Sequence, residues 1–274
     1  MNKKYDYTTL FPVVIQAALR AGDAALDVYN GDFTVEEKAD HSPLTLADRR
    51  SHEIIASALN HTRIPVLSEE GRDIPYDERQ KWSALWIVDP LDGTKEFVKK
   101  NGEFTINIAL VENLRPTLGV IYVPVTGVLY FAASGLGAFS IPRPDMPSGW
   151  EGRLDSLLAA AQKLPLEKKS KRPYTIMGSR SHATPELAEF VDKIKARHES
   201  AAFISAGSSL KFCRIAEGAA DIYPRTGPTM EWDTAAGQII AEQAGAPVLD
   251  YHSRTPLTYN KPDLKNPWFI VERV

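Results

Sequence analysis

An apolar segment, Trp86-Ile87-Val88, runs without a break into Asp89-Pro90-Leu91-Asp92-Gly93-Thr94. Few features constrain a chain more than paired carboxylates at the end of a buried strand, because a buried charge needs a partner. Pro90 fixes its own φ, and Gly93 permits a tight or left-handed turn. Such a turn can aim both carboxylates and the Leu91 carbonyl at one spot. The same letters also suit a plain surface turn, since Asp-Pro and Asp-Gly both favour turns.

Two further acidic places bear on that choice. Ser68-Glu69-Glu70-Gly71 follows the apolar segment Ile64–Leu67, so carboxylates again stand at a predicted strand end. Glu231-Trp232-Asp233-Thr234 opens an alanine-rich predicted helix, where Asp233 alone would serve as an N-cap. Taken singly, Glu69 and Glu70 suit a solvated loop. Converging carboxylates would raise one another's pKa unless cations neutralise them. All-oxygen donors suit a hard cation, Mg²⁺ before Zn²⁺ or copper. Two such ions about 3.5–4 Å apart can clamp a phosphate and activate water. Spacing alone does not bring the three places together.

The rest of the chain limits the setting. Its 274 residues suffice for one large domain or two packed halves, and 43% hydrophobic with 24% charged residues is globular composition. A net charge of −3 argues against a nucleic-acid polymer as partner. Cys213 is the only cysteine, which rules out an intramolecular disulfide, and its apolar neighbours predict a buried small side chain. No secretory signal is expected, nor an apolar run long enough to span a bilayer; a cytoplasmic location fits, and peripheral membrane association stays open.

Apolar residues at helical spacing predict a helix over Thr8–Asn30, capped by Thr8 or Thr9, and a second starting after Thr45 and running through Leu59. Strands are predicted at Ile64–Leu67, Leu85–Val88, Phe104–Val111, Thr117–Val123 and Val128–Ala132. The pattern weakens between Ile141 and Arg172, whose basic run from Lys168 to Arg172 reads as a solvated connection. Beyond it, strands at Tyr174–Met177, Asp221–Tyr223, Val248-Leu249 and Trp268–Glu272 alternate with helices at Pro185–Arg197, Ser209–Glu217 and Thr234–Ala244. This is a layered α/β pattern in two subregions. The expected division sets an N-terminal α+β part (1–140) against a C-terminal α/β part (141–274) carrying Asp233.

Glu69-Glu70, Asp89-Pro90-Leu91-Asp92-Gly93-Thr94 and Trp232-Asp233-Thr234-Ala235-Ala236-Gly237, in this order, resemble the inositol monophosphatase superfamily. The similarity runs from about Lys38 to Asp250, and the Ile141–Arg172 stretch carries no motif. The resemblance implies a fold of alternating helix and sheet layers and a phosphomonoesterase with two or three magnesium ions. By position it assigns Glu69, Asp89 and the Leu91 carbonyl to one metal, and Asp89, Asp92 and Asp233 to the other. It implies contact of Leu91, Asp92, Gly93 and Thr94 with the phosphate at the start of a helix near Thr94. It also makes Asp48, Thr94 and Glu69 the water-activating group. A local pairing of Thr45 with Asp48 is the alternative use of that aspartate.

Several strings are similar to the CysQ-type 3'(2'),5'-bisphosphate nucleotidases in particular. They are Lys95-Glu96-Phe97, Asn101–Leu110, Ser179–His182, Gly207–Cys213 and Asp221–Thr229. That resemblance implies removal of the 3'-phosphate from adenosine 3',5'-bisphosphate, with the 5'-phosphosulfate analogue as a further candidate, and sensitivity to lithium. A second phosphate needs its own donors, and Lys211, Arg225, Ser208, Ser209 and His182 are the candidates. The nearer relatives imply a monomer. Hydrolysis of inositol monophosphate, or a non-catalytic nucleotide sensor, are the competing functions. Glu231 has no assigned direction: solvent and the substrate side are both open.

Overall fold

The apolar spacing of the first thirty residues forms helix α1 (Tyr7–Asn30) in the computed structural model, which describes residues 5–37, 43–150, 153–166, 172–179 and 184–273. Its cap is Asp6 rather than Thr8 or Thr9: the Asp6 carboxylate accepts the Thr8 backbone N–H at 2.9 Å and its hydroxyl at 2.7 Å. By length and composition alone α1 is long and apolar enough to cross a membrane, a test that buried core helices also pass. More than half of that stretch is buried inside the protein, with Phe11, Val14, Ile15 and Ala18 inaccessible. Its apolar side is a core face.

An antiparallel pair, β1 (Val35–Glu37) and β2 (Pro43–Thr45), leads to α2 (Leu46–Asn60), which packs along α1. There follow β3 (Val66–Ser68), a helical turn α3 (Tyr76–Arg79), β4 (Ala84–Asp92) and the short α4 (Thr94–Val98). Next come β5 (Thr105–Glu112), β6 (Arg115–Val123), β7 (Val128–Ala133), β8 (Gly137–Pro142), α5 (Leu154–Ala160) and β9 (Gln162–Leu164). Strands β3 to β9 form one seven-stranded sheet in sequence order. The weakly patterned stretch after Ile141 thus supplies a helix and a strand not expected from periodicity. Residue 140 lies inside β8, and the chain stays in this sheet through Leu164.

The remainder is β10 (Tyr174–Ser179), α6 (Pro185–Arg197), β11 (Ala201–Ala206), α7 (Leu210–Glu217), β12 (Ile222–Arg225), α8 (Glu231–Gln243), β13 (Val248–Asp250) and β14 (Phe269–Glu272). Its five strands pair in the order β11-β10-β12-β14-β13. Strand β11 escaped the sequence reading because it is a sheet edge whose Phe203 and Ile204 stay about 40% exposed. Of the basic run, only Arg172 lies among the described residues, and it pairs with Asp221 at 2.9 Å.

Alternation along each strand divides the core in two. Trp86 and Val88 of β4, with Ile106, Ile108 and Leu110 of β5, pack on α1 and α2. Leu85 and Ile87, with Ala109 and Val111, face α7, α8 and, beyond them, Tyr223 and Phe269 of the second sheet. Helix α6 covers the far side of that sheet through Leu187, Val191 and Ile194. The layers therefore run helix, sheet, helix, sheet, helix. The central layer is tight: a Cβ on Gly237 of α8 would lie 2.4 Å from the Phe212 ring of α7. Small residues in Ala235-Ala236-Gly237 let α8 fit between its neighbours.

Candidate active site

The inward parity of Leu85 and Ile87 continues to Asp89, so its carboxylate faces the α7–α8 layer. Strand β4 then runs on to Asp92, past the expected end at Val88, with a register irregularity against β5 between Asp89 and Asp92. Pro90 is tolerated there because a bulge needs no N–H from it. Gly93 adopts φ 92°, in the left-handed region, and turns the chain into α4. The Asp89 Oδ1 accepts the Leu91 N–H at 3.1 Å.

Helix α8 starts at Glu231, three residues earlier than expected. Asp233 therefore sits in the first turn rather than at the cap position, and its Oδ2 accepts the Met230 N–H at 2.9 Å. Carboxylate oxygens of Asp89, Asp92 and Asp233 all lie within 4.8 Å of one another. Glu69 follows β3, and its N–H donates to the Val88 carbonyl at 3.1 Å, which sets it beside Asp89. It is outside the mutually close trio but near enough for its charge to act on Asp89 and Asp233. Glu70 is half-buried next to it.

Burial, then the charges of Glu69, Asp92 and Asp233, push the Asp89 carboxyl well above the ordinary carboxylate range. Burial and the Asp92 charge push Asp233 up to about 8. Asp92 is also raised by burial, though the Ser209 hydroxyl, Lys211 and Asn107 oppose the rise. Three mutually repelling carboxylates, Asp89 buried and Asp92 and Asp233 half-buried, fit a hard divalent cation, which would favour the ionised form of each.

Asp48 serves both of the uses read from the sequence. Its Oδ2 accepts the Thr45 N–H at 2.7 Å and hydroxyl at 2.6 Å, closing the first turn of α2. Its Oδ1 accepts the Thr94 hydroxyl at 3.2 Å, and Asp48 itself is buried. Thr94 Oγ1 also lies 3.5 Å from the Leu91 carbonyl.

Two residues of the site were not given their actual role by sequence reasoning. Ser209 Oγ lies 2.5 Å from Asp92 Oδ2 and 3.0 Å from the Asp233 carbonyl. Asn107 Nδ2 donates to Ser209 Oγ at 2.8 Å and to Asp92 Oδ2 at 3.2 Å. Ser209 was expected to face a phosphate; it instead ties the β4 end to the start of α8. Asn107 carries a usable signal: it is the polar residue on the inward parity of β5, between Thr105 and Ala109.

Beside the trio opens a cavity of about 380 Å³ lined by Gly93, Thr94, Ser208, Lys211, Arg225 and Thr229 among others. Lys211 is buried; its Nζ donates to the carbonyls of Ser208 at 2.5 Å and Ala206 at 3.3 Å and lies 5.7 Å from the Tyr223 ring centre. Burial pushes this ammonium down to about 8, against the pull of Asp92. Arg225 donates Nη2 to the Pro228 carbonyl at 2.9 Å, while its Nε and the Ser208 Oγ are buried without a partner. Both residues line the cavity, and buried polar atoms without a partner are groups that a phosphate oxygen could satisfy. His182, expected here, lies outside the described residues.

The chain matches known proteins over nearly its whole length. Residues 6–269 match the family model described as "Inositol monophosphatase family". The chain is 45% identical over 264 residues to the 3'(2'),5'-bisphosphate nucleotidase CysQ of Shigella flexneri, covering 94% of this chain and 97% of that one. It superposes on the crystal structure of CysQ from Bacteroides thetaiotaomicron with a TM-score of 0.86 and 48% identity, covering 95% and 96% of the two chains. The extragenic suppressor protein suhB of Bartonella henselae, 24% identical with a TM-score of 0.72 over 95% of this chain and 92% of its own, shares the fold.

Proposed function

The chain belongs to the inositol monophosphatase family, and from that premise we propose that it is a magnesium-dependent 3'(2'),5'-bisphosphate nucleotidase, releasing phosphate from adenosine 3',5'-bisphosphate to leave AMP. The convergence of Asp89, Asp92 and Asp233 within 4.8 Å carries the metal-dependent chemistry. The partnerless donors of Ser208 and Arg225, with buried Lys211 lining the same cavity, support a substrate bearing a second phosphate. The nucleotidase relatives support the nucleotide itself.

Asp89, Asp92 and Asp233, with Glu69 and the Leu91 carbonyl, would hold two magnesium ions. Magnesium in such a site polarises the phosphoryl oxygens and lowers the pKa of water. Thr94, oriented by Asp48, accepts a hydrogen bond from the attacking water, and the proton passes toward the Asp48 carboxylate. The water oxygen bonds to phosphorus in line with the 3'-oxygen, whose bond to phosphorus breaks; that oxygen then takes a proton from solvent. Lys211 and Arg225 would hold the 5'-phosphate, with Ser208 as a neutral donor. The lone buried Cys213 is compatible with a reducing cytoplasm, and we read the active form as a monomer.

The test is a phosphate-release panel with and without Mg²⁺. Adenosine 3',5'-bisphosphate should be turned over far faster than inositol 1-phosphate, and only with the metal. The opposite ranking would replace this reading with an inositol monophosphatase. No release from any ester would leave a nucleotide-binding sensor.

A further inference from the structure

Glu231 faces neither solvent nor substrate. It is completely inaccessible, and its carboxylate turns away from the trio into the segment between Thr258 and Asn266. There it accepts the backbone N–H groups of Asn260 at 2.6 Å and Lys261 at 3.0 Å, and the Lys261 ammonium at 2.5 Å.

The same segment grips the start of α8 at neighbouring points. The Glu231 N–H donates to the Leu264 carbonyl at 3.0 Å, and Asn266 Nδ2 donates to the Met230 carbonyl at 2.7 Å. Met230 is the residue whose own N–H fixes the Asp233 carboxylate. On its far side the segment is held by Arg79, which is also buried. Arg79 Nη1 donates to Asn260 Oδ1 at 2.9 Å and to the Lys261 carbonyl at 3.0 Å, and Asn260 Nδ2 returns a bond to the Arg79 carbonyl at 2.8 Å. Arg79 Nε closes on the Ile74 carbonyl at 2.9 Å, within the loop that leaves Glu69 and Glu70.

A continuous chain of hydrogen bonds thus joins the loop after Glu69 to the turn that bears Asp233. Groups that orient metal ligands from behind commonly set metal affinity. We propose that Glu231, paired with Lys261 and anchored through Asn260 to Arg79, is a positioning residue that holds Asp233 at the spacing the cation requires. The inference rests on the metal-dependent reading above. It assigns these residues no contact with substrate or with the reacting atoms.

The experiment titrates the full chain with MgCl2 alone by calorimetry and measures KM and kcat at saturating Mg²⁺, for the parent, Glu231→Gln and Lys261→Gln. Each variant should need about 10–100-fold more Mg²⁺ for half-saturation, with the KM for adenosine 3',5'-bisphosphate unchanged once Mg²⁺ saturates. The double variant should be no worse than the weaker single one, since both break one link. Folded variants that bind Mg²⁺ as the parent does would overturn the proposal. Lys261 is part-exposed, so Lys261→Gln decides the matter if Glu231→Gln does not fold. A parent chain that fails to bind Mg²⁺ would sink the metal reading itself, a result distinct from the loss of the brace.

Discussion

Asp48 divides its carboxylate between two threonines: Oδ2 takes the Thr45 hydroxyl at 2.6 Å, and Oδ1 takes the Thr94 hydroxyl at 3.2 Å. One oxygen secures the helix that carries the aspartate; the other aims the group that meets water in the proposed reaction. Asp48→Asn should therefore lower kcat by about 10²–10⁴-fold, the usual contribution of a positioned acid or base. The remaining amide oxygen should limit the loss of the cap to about 1 kcal/mol or less. Steady-state kinetics with a Mg²⁺ titration checks this; full turnover with unchanged metal affinity would remove Asp48 from the mechanism.

The carboxylate trio makes the metal-free protein sensitive to pH. The folded-state pKa of Asp233 is pushed up to about 8 by burial and Asp92, above its ordinary value of 3.8. The folded protein thus binds more protons than the unfolded chain between those values. Stability is fully present below pH 3.8 as far as this group is concerned and is lost as pH rises through about 8. Denaturation in EDTA should show that decline, and saturating Mg²⁺ should abolish it. Asp233→Asn should flatten the profile in EDTA and remove the stabilisation by Mg²⁺.

Substitution of Arg225 should separate recognition from chemistry. Arg225 lines the cavity and its Nε is buried without a partner, so Arg225→Ala should reduce kcat/KM for adenosine 3',5'-bisphosphate by 10-fold or more, about 1.4 kcal/mol. Turnover of adenosine 3'-monophosphate, which lacks the second phosphate, should change much less. Equal losses on both esters would move Arg225 out of the second-phosphate pocket.

Gly237 tests the packing of the central layer. A methyl there meets Phe212 ring atoms at 2.4 and 2.5 Å, closer than a ring can yield without moving α7 or α8. Gly237→Ala should destabilise the protein by about 1–3 kcal/mol, the range for overpacking, despite the better helix propensity of alanine. Urea denaturation measures it; a neutral result would mean that the two helices are free to separate.

Much of this was readable from local pattern. The α1 and α2 helices, the strands from β4 to β7 and the placing of acids at their ends follow from periodicity and turn chemistry, because those are short-range effects. Helix α5 and strand β9 were not readable. They lie in a proline- and glycine-broken stretch, and β9 is a strand only because β8 offers it an edge. The direction of Glu231 was equally closed to inspection, since its partner Lys261 lies thirty residues away and neither residue marks the other.

Composition and local order in the chain determined which residues end strands, where carboxylates are presented, and that Cys213 would be a buried side chain rather than half of an internal disulfide. That Asp233 meets Asp89 and Asp92 was implied by the family resemblance and not by local pattern; the tertiary structure makes it so, and it alone decided that Ser209 and Asn107 tie them together and that Glu231 turns away. The reason is range. Backbone preferences act over a few residues, whereas a cluster of like charges is held only by the packing of a whole helix layer between two sheets.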